Sequence, residues 1–189
     1  MANYTERNDK RPHKVAADDP LAIALLKEEH QVFRALFDKA ENAEGSRLAE
    51  IARELCLRLN VHMTIEEEVL YPALKGIIDA DEVNEGIVEH QAGKTLAAEI
   101  EQLTGDEPLF ASKVHVLGEE TLHHIDEEDE EMFQDAKAAH REGRIDLDAL
   151  GERLRARQQE LYDRIAATGD EGKTCEAKTD EVESVSDQA

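Results

Sequence analysis

Apolar residues recur at alternating steps of three and four along most of this chain. Between Pro20 and about Asn42 the inward positions are Ile23, Leu26, His30, Phe33 and Phe37. A second stripe follows Gly45-Ser46, carries Leu48, Ile51, Leu55, Leu59, His62, Glu66 and Val69, and stops near Pro72. A third, about 81–104, carries Val83, Ile87, His90, Ala97 and Ile100. A fourth, about 106–141, carries Phe110, Val114, Leu117, Thr121, His124, Glu128 and Met132. A fifth, capped by Asp146, carries Leu147, Leu150, Leu154, Leu161 and Ile165. Each stripe is one face of an amphipathic helix, and no stretch alternates with the period of two that a strand requires. Long helices with short connections predict an all-α chain: an up-down-up-down antiparallel four-helix bundle plus a fifth C-terminal helix. Asp18-Asp19 before Pro20 is the expected cap of the first helix.

Polar residues interrupt four of these stripes at matching depth. His30, His62, His90 and His124 each sit mid-stripe, and Glu66 and Glu128 follow two of them by one helical turn. The tripeptide Glu-His-Gln occurs at 29–31 and again at 89–91, so each half of the chain reads as a lone His followed by His-x-x-x-Glu. Matching halves imply a pseudo-twofold bundle with one shared site. The phase also separates the adjacent histidines of LHHIDEEDEEMF, residues 122–133. His124 shares its stripe with Phe110, Val114, Leu117 and Met132, whereas the stripe of His123 is mostly charged. His124 should face inward, and His123 should lie beside the site or at the surface.

Six polar groups on apolar faces need a reason. A lone inward histidine is more often a hydrogen-bonded core residue than a ligand. Four of them with two inward glutamates reverse that balance, because a buried carboxylate without a positive partner costs several kcal/mol, and the stripes hold almost no Lys or Arg. A cation pair removes that cost. Four imidazoles and two carboxylates exceed one tetrahedral zinc and are too nitrogen-rich for calcium or magnesium. Divided by the pseudo-twofold they suit a non-haem di-iron centre, with manganese second. The remaining acids of the run, Asp126, Glu127, Asp129, Glu130 and Glu131, are expected on a solvated helix surface. His13 falls in a tail, His115 on an exposed face, and His140 at a helix C-terminus whose dipole explains it. Cys56 reads as a small packed thiol.

Charge and composition narrow the setting. The 189 residues carry 45 acids and 22 bases, a formal net charge of −23, which opposes binding to nucleic acid or anionic lipid. No apolar run is long enough for a membrane span and no signal-peptide core is present. Two cysteines without motif spacing point to a reducing cytoplasm. Residues 1–18 are expected as a disordered N-terminal arm, 19–142 as the four-helix bundle with its metal centre, 143–167 as the additional helix, and 168–189 as an acidic disordered tail. The fifth helix could cap the bundle or make a dimer, so monomer and homodimer both stand.

The set His30, His62-x-x-x-Glu66, His90 and His124-x-x-x-Glu128, with EEEVLYP and EEDEEMF after the paired motifs, resembles the hemerythrin-like (HHE cation-binding) domain over about residues 20–140. The resemblance implies two iron ions in an oxo- or hydroxo-bridged centre inside the bundle, with Glu66 and Glu128 bridging. It departs from the oxygen-carrying members at two points. They have a further histidine four residues after the third-helix ligand, where this chain has Lys94, and they bridge with an aspartate five residues after the last histidine, where here Glu128 comes at four. Lys94 is expected to swing outward and leave the metal unligated. The implied function is therefore reaction with peroxide, O2 or NO, catalase- or peroxidase-like if enzymatic. The alternative is an iron or oxygen sensor, an O2 carrier or an iron-storage module.

Overall fold

The computed structural model describes residues 14–168, and among them every regular element is helical. In chain order these are α1 (Leu21–Glu41), α2 (Gly45–Ile65), a π-helical turn (Glu66–Leu70), α3 (Tyr71–Leu74) and α4 (Ala80–Glu101). There follow α5 (Phe110–Glu127), a second π-helical turn (Glu128–Met132), α6 (Phe133–Arg141) and α7 (Leu147–Thr168). Residues 1–13 and 169–189, which include most of the arm and tail expected to be disordered, lie outside the described residues. No described helix is long and apolar enough to cross a membrane.

Several boundaries differ from the expected ones for local reasons. The fourth helix begins at Phe110 rather than near 106. Glu107 turns back to accept the backbone N–H groups of Thr104 and Gly105, and Pro108 follows before the helix can start. The stretches expected as single helices to Pro72 and Arg141 are each broken by a π-turn. Asp19 does not cap α1: its carboxylate accepts the Ala16 N–H and pairs with Lys27 and Lys137. The first free N–H of α1, on Leu21, goes instead to Asp148 Oδ1 on α7 at 2.9 Å. Asp146 does cap α7, accepting from the N–H groups of Asp148 and Ala149. Pairing with Asp19 also explains how Lys27 can be buried on an otherwise apolar face.

The buried side chains form two apolar clusters. One contains Phe33, Phe37, Leu55, Leu59, Ile100 and Leu117, and the other contains Ile23, Leu26, Ile65, Leu70, Phe133 and Leu150. Each of the first four stripes passes from one cluster to the other, and the inward histidines fall at the crossing: His30 between Leu26 and Phe33, His62 between Leu59 and Ile65. A polar layer is thus sealed between two apolar plugs.

The fifth helix packs against α1 and α2, with Leu147, Leu150 and Leu154 in the second cluster. The approach is close at Gly151, where a Cβ would come within 2.6 Å of Ala22 N and Leu21 Cγ. Gly151→Ala should therefore destabilise the chain by ~2 kcal/mol, a typical overpacking cost that outweighs alanine's better helix propensity. Chemical denaturation of the two proteins checks it; equal midpoints would mean α7 can shift at no cost.

Candidate metal centre

All six residues singled out from the stripes come together in the polar layer, each between 0 and 6 % exposed. α1 supplies His30, α2 supplies His62, α4 supplies His90 and α5 supplies His124; Glu66 and Glu128 open the two π-turns. Each histidine turns Nε2 inward. His62 Nε2 lies 3.3 Å from Glu66 Oε2, His90 Nε2 lies 3.4 Å from the same oxygen, and His30 Nε2 lies 3.4 Å from Glu128 Oε2. His124 Nε2 is 3.7 Å from Glu128 Oε2 and 2.9 Å from His90 Nε2. The residues fall into two groups, His30/His62/Glu66/Glu128 and Glu66/His90/His124, whose ligand-capable atoms lie within 4.8 Å of one another. Glu66 belongs to both. His123 stays outside, its side chain 67 % exposed and paired with Glu127.

The donor atoms suit cations. His30 Nε2, His62 Nε2, both oxygens of Glu66 and Glu128 Oε2 are buried without a hydrogen-bond partner. Such orphans cost about 1–3 kcal/mol each and are rare without a function. They also converge. Two nitrogens bound at about 2.1 Å to one ion stand about 3 Å apart at right angles, and the 2.9–3.7 Å separations above are edges of that size.

A second ring of charge holds the imidazoles. Nδ1 of His30 bonds Asp129 Oδ1 at 3.1 Å, that of His62 bonds Glu29 Oε2 at 3.0 Å, that of His90 bonds Glu67 Oε1 at 3.2 Å and that of His124 bonds Glu89 Oε2 at 2.8 Å. A carboxylate only accepts, so each Nδ1 carries a proton and each Nε2 is the nitrogen turned toward the site. The ring repeats with the pseudo-twofold. The glutamate before each lone histidine, Glu29 or Glu89, holds the histidine of the following helix. The acid after each inward glutamate, Glu67 or Asp129, reaches back to the lone histidine. Cations complete the pattern four residues after each lone histidine: Lys94 Nζ bonds Glu67 Oε2 at 2.6 Å, and an Arg34 guanidinium nitrogen lies 3.5 Å from Asp129 Oδ2. Lys94 therefore addresses the outer carboxylate.

The π-turns explain how the second half of the ring is built. Tyr71 N–H donates to Glu66 C=O and Phe133 N–H to Glu128 C=O, each five residues back. A turn of that width keeps residue i+5 on the face of residue i, which an α-helix does not, and such turns concentrate at functional sites. Tyr71 then tilts over His90 at a ring separation of 5.3 Å, and Phe133 stacks on His30 at 5.6 Å. The twofold breaks at one atom, since only Tyr71 has a hydroxyl, which donates to Glu128 Oε1 at 3.1 Å.

The electrostatics of the metal-free arrangement are those of a carboxylate pair sharing one proton. Burial and the nearby charge of Glu128 push the Glu66 carboxyl well above its ordinary range. Burial opposes ionisation of Glu128 too, but the imidazoles of His124 and His30 outweigh it and hold that carboxyl low. Burial pulls His90 down to about 4, and His124 adds to the effect. On His124 burial is outweighed by Glu128 and Glu89, so its value rises; protonated His124 can then donate to neutral His90 across 2.9 Å.

Asp129 is the clearest departure from expectation. Its position in the acidic run predicts a solvated surface, yet it is 2 % exposed and holds His30, because the π-turn carries the residue after Glu128 inward. Glu29, Glu67, Glu89 and Tyr71 were likewise not anticipated, although the repeated Glu-His-Gln and the acid following each inward glutamate were signals for them. His115 is exposed, Cys56 is buried with its thiol 3.8 Å from Ala97 O, and His140 Nδ1 lies 3.2 Å from the Leu147 N–H it can accept, joining α6 to α7.

Comparisons with known proteins agree with this geometry at the level of the domain. No solved structure matches the chain significantly. A DNA nickase from Nostoc sp. (strain PCC 7120) is 23 % identical over 110 residues, 58 % of this chain and 31 % of that protein, so the chain spans about a third of that relative's length. The hemerythrin HHE cation binding domain matches residues 21–136, more than half of the chain and all six converging residues. This chain belongs to the hemerythrin HHE cation-binding family.

Proposed function

We propose that the chain is a cytoplasmic non-haem di-iron protein that reacts with small oxygen or nitrogen species such as peroxide, O2 and NO. In this reading the four long helices α1, α2, α4 and α5 run alternately up and down. His30 and His62 hold one ion, His90 and His124 hold the other, and Glu66 and Glu128 lie between them. Bound iron would supply the one-electron and oxygen chemistry that no side chain here can provide. The chain's own residues fix the ligand lone pairs inward, exclude bulk water between the two apolar clusters, and place the Tyr71 proton at Glu128 Oε1.

The observation that carries the reading is the four-fold arrangement of Nε2 inward and Nδ1 on a carboxylate. Core histidines satisfied for packing alone have no reason to orient alike in all four helices. The reactant class follows from access. A pocket of about 280 Å3, lined by Leu59, Met63, Val88 and Ile125, reaches His62, His90 and His124. It is mostly apolar and at the small end for ligand sites, which suits diatomic gases and peroxide. The match to the DNA nickase named above covers only 31 % of that protein, and a net charge of −23 disfavours DNA as a substrate here.

Purified protein loaded anaerobically with ferrous iron should retain two iron atoms per chain and, after oxidation, absorb in the near ultraviolet. Elemental analysis with an optical spectrum checks this, and one zinc per chain with no iron-type spectrum would overturn it. Gas evolution from peroxide then separates turnover from sensing, carriage or storage.

A further inference from the structure

We propose that the acidic cleft between α4 and α5 is the loading site for the metal centre, taking up a divalent transition cation first at His123, Glu89 and Glu127 and passing it inward to Glu128 and His124. The proposal rests on the reading of the buried site as a metal centre. It concerns three residues that site does not use as ligands.

The outer cluster has the donor types and spacing of a weak transition-metal site. His123, Glu89 and Glu127 each present a ligand-capable atom within 4.8 Å of the others, and His123 Nε2 lies 3.2 Å from Glu127 Oε1. An imidazole among carboxylates favours a transition ion over calcium or magnesium. Glu89 is also the carboxylate that holds His124 Nδ1 at 2.8 Å. The outer cluster and the buried one are therefore separated by a single imidazole ring.

The path between them is lined for cations. A cleft of about 50 Å3 is walled by Glu82, Glu85, Glu89, Glu127 and Glu131, and reaches His124 and Glu128; no Lys or Arg lines it. An acidic surface alone would mean little. Here, however, the cleft ends on Glu128, whose 2 % exposed side chain has an oxygen, Oε2, with no hydrogen-bond partner. Glu82 Oε2 in the wall is likewise buried without a hydrogen-bond partner. Burial, then the charges of Asp135, Asp79 and Glu131, push the Glu82 carboxyl upward, as happens where like charges meet without a cation. Gly86 keeps the floor open, since a Cβ there would stand 2.8 Å from the Tyr71 hydroxyl and 3.5 Å from His124 Cε1. The bundle thus offers two openings of different chemistry that share Glu89 and His124: an apolar pocket for neutral reactants, with His123 on its wall, and an acid-lined cleft for the ion.

A cleft lined by one sign of charge concentrates counter-ions and raises their capture rate, and the gain falls with ionic strength. The test is ferrous iron uptake by the metal-stripped full-length chain, followed anaerobically by stopped flow, with elemental analysis of the end state. His123→Ala combined with Glu127→Gln should reach the wild-type metal content but load on the order of tenfold more slowly at low salt, with a flatter salt dependence. His123→Glu, which keeps a ligand at the rim, should recover most of the rate. On the loaded protein, added Mn2+ should broaden the His123 ring signals selectively in wild type. Equal loading rates and equal salt slopes in wild type and double variant, with full metal in both, would overturn the loading site and leave the buried centre standing. A wild-type chain that holds no iron overturns the centre itself and this route with it.

Discussion

Glu66→Ala should cost the chain more of its bound metal than Glu128→Ala does. The asymmetry follows from geometry. Glu66 Oε2 stands 3.3 Å from His62 Nε2 and 3.4 Å from His90 Nε2, one histidine from each half. Both ligand groups include Glu66, and only the first includes Glu128. Removing the shared carboxylate leaves two histidines facing each ion position, with Glu128 able to serve one of them. Removing Glu128 leaves Glu66, His90 and His124 as a three-donor set for a weak site. Asp129→Asn should cost the least of the three, since loss of an outer carboxylate on a ligating histidine weakens affinity by typically about 10–100-fold without removing a ligand. Metal analysis after desalting ranks the three variants. Full metal retention in Glu66→Ala would show that the two histidine pairs are not joined through this residue.

The architecture of this site was legible wherever one residue's phase on a straight helix decided the matter. The stripes assign the six inward residues, and the charged stripe of His123 distinguishes it from its neighbour. What the phase could not show begins at the π-turns. Residues 66–70 and 128–132 read as continuous α-helix, and on that phase Asp129 points away from the core. One wider turn carries it to His30 and brings Phe133 onto the same ring. The repeat encodes the outer ring as well as the ligands. Glu-His-Gln at 29–31 and 89–91 marks a lone ligand, its partner's carboxylate and, three residues beyond the Gln, Arg34 or Lys94. Lys94 looks like a lost ligand when set against the oxygen carriers. Beside Arg34 it is half of a pattern, a cation that holds the carboxylate that holds the histidine. The cap of α1 was illegible for another reason: the carboxylate that takes the Leu21 N–H, Asp148, is 127 residues away on a helix whose docking no local signal reports.

Stripping the metal should reverse the order of stability between wild type and Glu66→Gln. A metal held by the folded chain alone stabilises it by RT ln(1 + [L]/Kd), about 4 kcal/mol at a thousand times Kd, so loaded wild type should be the most stable form. Without metal, the same six groups become a liability. Two carboxylates and four imidazoles share a volume closed by Leu26, Phe33, Leu59 and Ile65, and burial together with the charge of Glu128 holds the Glu66 carboxyl well above its ordinary range. A carboxyl with a raised folded value binds its proton more readily folded than unfolded, so it destabilises the fold at pH values above its unfolded value of about 4.3. That penalty grows as pH rises toward the folded value and vanishes below the unfolded one. Glutamine keeps the shape and removes the ionisation. At pH 7 and with chelator present, Glu66→Gln should therefore exceed wild type by about 1–3 kcal/mol, the range found when buried charges are neutralised. The difference should shrink as pH falls toward 4. With saturating iron the order should invert, because the amide is a poor ligand and the variant gains little from metal. Urea unfolding of both proteins, with and without chelator, at pH 7 and pH 4.5, supplies the four comparisons. A chelated wild type that matches or exceeds Glu66→Gln at pH 7 would mean that Glu66 sits in its pocket at no cost, and the strongest physical reason for placing an ion beside it would be gone.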